Sequence, residues 1–312
     1  MEDILIIGAG TAGMTAAIYA RRAGLSCTVF ESAVPGGKIV NSPEVANYPG
    51  LPKVSGYDYA MALLEQVKSY GAKIKYETVI GSELFGTVKK LKTSKGEYEG
   101  ETVIIANGAS RKKLGCKGEN EFEGRGVSYC ATCDGAFFRD KTVAVIGGGS
   151  TAFEDAQYLA GICERVFLVV RGEDFSASDI LVESVLKNDK ITVLKNSEVV
   201  EITGENFVTG IKIKNTESEA EKTISVSAVF VAVGIAPDNS IFGSALKLDE
   251  RGYIISGEDC LTGIDGVFVA GDTRQKELRQ LVTAASDGAV AATAALKYIR
   301  KSKKEQEQRE GL

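Results

Sequence analysis

Two cysteines and an acid stand together in Cys130-Ala131-Thr132-Cys133-Asp134. A lone C-x-x-C in an intracellular chain points to thiol–disulfide chemistry rather than to a structural staple. A zinc site wants four ligands, and no second close cysteine pair supplies the rest. The chain contains no histidine at all. That excludes a Ser-His-Asp hydrolase, a His-ligated metal or haem, and a histidine acid or base. Proton transfer falls to Asp, Glu, Lys, Tyr, Cys or water, and Asp134 is the acid nearest the pair. The other cysteines, Cys27, Cys116, Cys163 and Cys260, stand alone and read as small apolar residues. No metal site is expected.

A second chemistry lies in the glycines. Gly8-Ala9-Gly10-Thr11-Ala12-Gly13 has the G-x-G-x-x-G spacing, between the apolar run Ile4–Ile7 and the helix-like TAAIYARRAG. The first glycine permits a tight turn, the second lets backbone approach a pyrophosphate, and the third lets the helix pack on the strand. Glu31 closes the next apolar strand, where an acid takes ribose hydroxyls. The pattern returns as Gly147-Gly148-Gly149-Ser150-Thr151-Ala152, after Val143–Ile146 and before FEDAQYLAGI. Its following strand ends in Val170-Arg171, with no acid in the corresponding place. This second turn reads as a nicotinamide-dinucleotide site through Gly147, Gly149, Ser150, Thr151, Ala152 and Arg171, or as a purely structural βαβ unit.

These turns need a framework to hold them. The chain has 312 residues, enough for two domains, with 44% hydrophobic and 25% charged residues, as in ordinary globular proteins. Two βαβ openings, each followed by alternating strand-like segments (74–106 and 191–234), give an α/β fold. It contains two doubly wound, Rossmann-like dinucleotide-binding domains, each with a β-meander. Residues 280–300 read as an alanine-rich helix, and 300–312 as its charged, solvated end. A net charge of −5 suggests no nucleic-acid partner. No apolar run reaches membrane-spanning length, and the first residues lack a signal-peptide pattern, so a cytoplasmic setting is expected.

Taken in order, the motifs resemble the low-molecular-weight, FAD-containing thioredoxin reductases along essentially the whole chain. The matching segments are Gly8–Gly13, Asn47-Tyr48-Pro49-Gly50, Ala106-Asn107-Gly108 (the family has A-T-G), GVSYCATCDGAFF at 126–138, GVFVAGD at 266–272 and KELRQLVTAASDG at 276–288. The resemblance implies a discontinuous FAD domain, residues 1–114 and 245–312, with a nicotinamide-type domain, 115–244, inserted and carrying the cysteines. It implies that FAD is held by Gly8, Gly10, Thr11, Ala12, Gly13, Glu31, Gly37, Asn47, Ala106, Gly108, Gly271, Asp272, Arg279, Gln280, Leu281 and Ala284. It assigns Cys133 to the flavin side, Cys130 to attack on a thioredoxin-like protein, and Asp134 to proton donation. A homodimer is also implied.

One departure bears on the electron donor. The family's H-R-R-x-x-x-R after the second βαβ strand is here Val170-Arg171-Gly172-Glu173-Asp174-Phe175-Ser176, which keeps only Arg171. Arginines supply most of the selectivity for a 2′-phosphate, so weak preference for NADPH over NADH is expected. Some members of the family lack a nicotinamide site and take electrons from ferredoxin. The sequence leaves open NADPH, NADH or ferredoxin as donor, and a third reading, a flavin-binding redox sensor.

Overall fold

The computed structural model describes residues 1–42 and 44–310. The chain forms two compact units, Met1–Ser110 with Ala236–Leu312, and Arg111–Ile235. No described helix is long and apolar enough to cross a membrane.

The first unit is built on strands β1 (Glu2–Ile7), β2 (Cys27–Glu31), β3 (Lys73–Tyr76), β4 (Val79–Glu83), β5 (Lys89–Thr93) and β6 (Glu97–Ile105). Their order is β3-β2-β1-β6-β5-β4. The parallel part places Ile6 opposite both Val29 and Ile104. The meander β4-β5-β6 is not a separate sheet, because the long β6 serves both halves. Its first residues pair antiparallel with β5, and its last run parallel to β1. Helices α1 (Thr11–Arg22) and α2 (Gly56–Ser69) follow the strands in the doubly wound manner.

The β1 run Ile4–Ile7 is buried on both faces, which explains its unbroken apolar sequence. One face, with Ile4 and Ile6, packs on α1 and on the last helix through Ala16, Ala17, Ala20, Ala291, Ala292 and Ala295. Alanines let these helices approach closely. The other face, with Leu5 and Ile7, joins Phe30, Leu91 and Val103.

Two-residue strands β7 (Ser110–Arg111) and β16 (Ile235–Ala236) mark the positions where the chain passes between units. The second unit is a parallel sheet of β8 (Val127–Ser128), β9 (Thr142–Ile146), β10 (Arg165–Val169), β11 (Ile191–Leu194) and β15 (Ala228–Val231), ordered β11-β10-β9-β15-β8. Strands β12 (Ser197–Gly204), β13 (Val208–Asn215) and β14 (Glu221–Ser225) form an antiparallel three-stranded sheet. Period-2 alternation sorts β9: Val143 and Val145 face α4 (Ser150–Ala160), whereas Ala144 and Ile146 join the core shared with the meander. The remaining helices are the single turn α3 (Ala131–Asp134), α5 (Asp179–Leu186) and α6 (Leu281–Glu310). Helix α6 continues through the charged stretch to residue 310. Lys303 meets Asp3 at 3.5 Å and Glu101 at 3.9 Å. Strand β17 (Val267–Val269) runs parallel to β6 and completes the first sheet.

Candidate functional site

In the first unit the strand ends open onto a cleft of about 560 Å³. Gly8, Gly10, Thr11 and Ala12 border it from one side, with Glu31 and Gly37 beside them. Ala106, Gly108, Gly271, Asp272, Arg279, Gln280, Leu281 and Ala284 line the rest.

The glycine turn has the three roles its spacing implies. At Gly8, φ is +99°, and a side-chain carbon would meet the Ala106 carbonyl oxygen at 2.4 Å. At Gly13 it would meet the Gly8 carbonyl oxygen at 1.9 Å, so this glycine seats α1 on the turn. At Gly10 it would meet nothing within 4 Å. Gly10 is the N-cap of α1 and supplies no side-chain acceptor, leaving the first N–H groups to an anion. Glu31 braces the turn through Oε2, which accepts from Ala9 N–H at 2.8 Å, and through Oε1, which accepts from Ala33 N–H at 2.9 Å.

Two polar atoms on this cleft are buried without a hydrogen-bond partner, Asp272 Oδ1 and Asn107 Oδ1. Both are acceptors. Burial also pushes the Asp272 carboxyl upward, against the pull of Lys276, Lys38 and Arg279. Orphaned acceptors of this kind call for a ligand with hydroxyl or N–H donors. A dinucleotide with a polyhydroxy chain fits that requirement, and Gly10 leaves space for its pyrophosphate.

Asn47 stands just off the cleft and donates to Gln280 Oε1 at 3.0 Å. Arg279 is turned onto the Tyr253 ring, 3.9 Å from its centroid, and donates to the Asp272 and Arg274 carbonyls. Asn107 stands where the family has threonine, and the motif by itself gives it no role. It is anchored by donating to Asp238 O and Asn239 Oδ1.

In the second unit, Cys130 and Cys133 form a disulfide with their Cα atoms 5.3 Å apart. Cys130 is the N-cap of α3, and Cys133 N–H donates to its Sγ at 3.2 Å. The helix is one turn only, so its dipole contribution at the sulfurs is small. Ser128 Oγ accepts from Cys130 N–H at 3.0 Å and donates to Asp134 Oδ2 at 2.5 Å. One hydroxyl therefore ties the acid to the backbone of the pair. Sequence reasoning missed Ser128; its signal was a serine two residues before the first cysteine. Gly135 follows because a side chain there would meet Leu159 of α4 at 2.8 Å. Cys27, Cys163 and Cys260 are buried free thiols and Cys116 is half-buried. Burial lifts Cys27 to about 12, which keeps it protonated and inert. Among the described residues no group of His, Cys, Asp and Glu could hold a metal ion.

The second glycine turn repeats the first as backbone. A side chain at Gly147 would meet the Ala232 carbonyl oxygen at 2.4 Å, and Gly149 is the N-cap of α4, which Ser150 and Thr151 open. Ala152, buried, replaces the third glycine. The strand end differs. Val170 is buried against Gly148, and Arg171 is exposed. Glu173 is bound by Lys195 at 3.1 Å and by the Asn196 amide at 3.0 Å. Lys195 also lies 4.7 Å over the Phe175 ring.

Residues 2–288 match the family model for pyridine nucleotide-disulphide oxidoreductases. The chain is 42% identical over 306 residues to a thioredoxin reductase of Listeria monocytogenes, covering 96% of this chain and 95% of the relative. The crystal structure of Lactococcus lactis thioredoxin reductase matches with a TM-score of 0.83 and 37% identity, over 96% of this chain and all of that one. A ferredoxin-flavin thioredoxin reductase from Clostridium acetobutylicum matches with a TM-score of 0.55 and 30% identity, over 97% of this chain and 98% of that one.

Proposed function

The chain belongs to the pyridine nucleotide-disulphide oxidoreductase family, and from that premise we propose that it is a flavin-dependent thioredoxin reductase working through Cys130 and Cys133. The observation that carries the reading is the Cys130–Cys133 disulfide with Asp134 held beside it by Ser128. The cleft of the first unit is the FAD site. Gly8, Gly10, Thr11, Ala12 and Gly13 hold the pyrophosphate end and Glu31 the ribose. Asp272 and Asn107 receive the hydroxyl chain, and the segment from Arg279 to Ala284 faces the ring. When bound, FAD supplies two-electron transfer between a donor and this disulfide.

The remaining steps belong to the chain's own residues. Reduction of the disulfide takes two electrons and two protons and yields two thiols. The Cys130 thiolate attacks one sulfur of the acceptor's disulfide, forming a mixed disulfide and releasing the other acceptor sulfur as thiolate. The Cys133 thiolate then attacks Cys130 Sγ, re-forms the internal disulfide and releases the second acceptor thiolate. Asp134 carries a proton to a departing thiolate. The acceptor is a thioredoxin-like protein, and the setting is a reducing compartment such as the cytoplasm, with the enzyme a homodimer.

The donor is a nicotinamide dinucleotide bound weakly at Gly147, Gly149, Ser150, Thr151 and Ala152, with Arg171 the remaining arginine of the 2′-phosphate clamp. The alternative donor, reduced ferredoxin, is favoured by the Val170 strand end and by the likeness to the Clostridium enzyme. Anaerobic addition of NADPH, NADH or reduced ferredoxin, followed by the loss of oxidised-flavin absorbance, separates them. Bleaching by NADH and NADPH at similar concentrations is expected. Bleaching by ferredoxin alone would establish the alternative, and a chain isolated without flavin would refute the assignment.

A further inference from the structure

Behind the cleft lies a group of buried charges that the reaction does not use. Asp287, on α6, accepts four hydrogen bonds. Its Oδ2 takes Gly271 N–H at 2.8 Å, Arg274 Nε at 2.9 Å and Lys276 Nζ at 2.7 Å, and its Oδ1 takes Arg274 Nη2 at 2.9 Å. The three side chains are only 3–5% exposed. Burying three charges is costly and rewards only a site where every partner is in place. The backbone is shaped to bring them together. Gly288, next to Asp287, lies so close to α1 that a side chain there would meet the Ala12 carbonyl oxygen at 2.2 Å. Gly271 is in the left-handed region, at φ +81°, and a side chain there would meet Ala12 Cβ at 2.8 Å. Helix α6, the Gly271–Asp272 turn and the start of α1 thus converge on one carboxylate, and all three border the cleft.

We propose that Asp287 is a positioning residue of the cofactor site, fixing the Gly271–Asp272 turn so that the orphaned Asp272 carboxylate oxygen meets the hydroxyl chain of bound FAD. This rests on the flavin reading of the cleft. Arg274 and Lys276 hold the Asp287 side chain in register. Arg274 also meets the exposed Glu258 at 3.1 Å, so the two cations face two carboxylates. A purely structural ion cluster would not need the bond to Gly271 N–H, which is the link from the cluster to the ligand.

The test measures FAD dissociation constants by flavin fluorescence, alongside thermal midpoints of the flavin-free proteins. Asp287→Asn should weaken FAD binding at least ~10-fold, the cost of one charge-assisted hydrogen bond and its geometry, and Asp287→Glu should recover most of it. A triple variant, Arg274→Met with Lys276→Met and Asp287→Leu, leaves no unpaired buried charge and so guards against simple unfolding. It should keep the flavin-free midpoint within a few degrees yet still bind FAD at least ~10-fold more weakly, because Gly271 N–H has lost its acceptor. Wild-type-like FAD affinity in the triple variant would overturn the proposal. So would flavin affinity and flavin-free midpoint falling in step across all three variants. A wild-type chain that binds no FAD would instead remove the flavin reading, and this proposal with it.

Discussion

The two glycine turns are near-copies as backbone and opposites as binding sites. At each first glycine a side-chain carbon would meet a carbonyl oxygen just past the adjacent parallel strand, at 2.4 Å in both, and each helix starts on an uncapped glycine. In each, the segment after the second strand folds back to bridge the turn, Gly36 to Gly10 and Ser176 to Gly149. They part at the strand end. Glu31 is aimed at its own turn through Ala9 N–H. In the other copy Val170 is buried, and the nearby acid, Glu173, is spent on Lys195 and Asn196. Glycine spacing therefore specifies a shape that accepts a pyrophosphate. The identity of the dinucleotide is set by the side chains at the strand end.

The largest expected effect tests whether binding and sulfur chemistry reside in different units. Cys130→Ser and Cys133→Ser should each cut thioredoxin-reductase turnover by on the order of 10³-fold or more while leaving the protein yellow. With Cys130 replaced, the remaining Cys133 thiolate should give a long-wavelength charge-transfer band. Turnover near the wild-type rate in either variant would end the redox-pair mechanism.

Next comes a direct exchange between the turns. Gly10→Val should give folded protein with little or no flavin, since the position opens onto the cleft without protein contacts. Gly149→Val should keep its flavin but lose reduction by NADH and NADPH. Flavin content by absorbance, with circular dichroism as the folding check, decides it. Equal flavin loss in both variants would erase the functional difference between the copies.

The strand-end argument predicts a gain. Val170→His with Gly172→Arg and Ser176→Arg should improve kcat/KM for NADPH by roughly 10²-fold, at about 1.5–3 kcal/mol per charge-assisted contact. The value for NADH should hardly change. Equal gains for both nucleotides would show that the arginines do not read the 2′-phosphate. A smaller effect should follow Ser128→Ala, which frees Asp134 from the pair. It should lower kcat a few-fold, the scale of one hydrogen bond, without altering flavin content.

The least effect concerns acid. Burial works against the Asp287 charge, but hydrogen bonds from Arg274 and Lys276 outweigh it and hold the carboxyl below its ordinary range. Its contribution to stability is therefore complete above the unfolded value, near pH 4, and lost as pH falls through the folded one. The thermal midpoint should decline below about pH 4, after a slight rise between pH 7 and 5 as the half-buried Asp155 carboxyl, raised to about 6, takes up its proton. Asp287→Asn should flatten part of that decline.

The chain's local signals were legible in proportion to how little they depend on distant partners. Both strand–turn–helix units, Glu31 and Cys130–Cys133 are contiguous patterns, and the structure places each strand and turn where the pattern does. The continuity of β6 through the first meander was not legible. It depends on one strand changing partners along its length, from β5 to β17. The buried bonds of Asp287 to Gly271, Arg274 and Lys276 were equally hidden, because in sequence these are ordinary surface-type charges. They are brought together where α6 closely approaches α1 at Gly288, a contact of residues far apart in the chain. Asn107 looks like a substitution in a motif; that its Oδ1 is buried without a partner is visible only in the fold.

The way the units share the chain also sets an order of events at the ribosome. The Arg111–Ile235 unit is contiguous and has all its strands once Ile235 has emerged. The other unit cannot be finished then. Its sheet still lacks β17, whose Val269 pairs with Ile105, and α6, which covers α1. At translation rates of about 5–20 residues per second, the last segment takes several seconds to follow. The thiols are thus in place before the cleft exists, and the early strands β1–β6 wait with one side of their sheet covered by α1 but not yet by α6. That interval is when a nascent chain of this design is most exposed to misassociation and most in need of a chaperone.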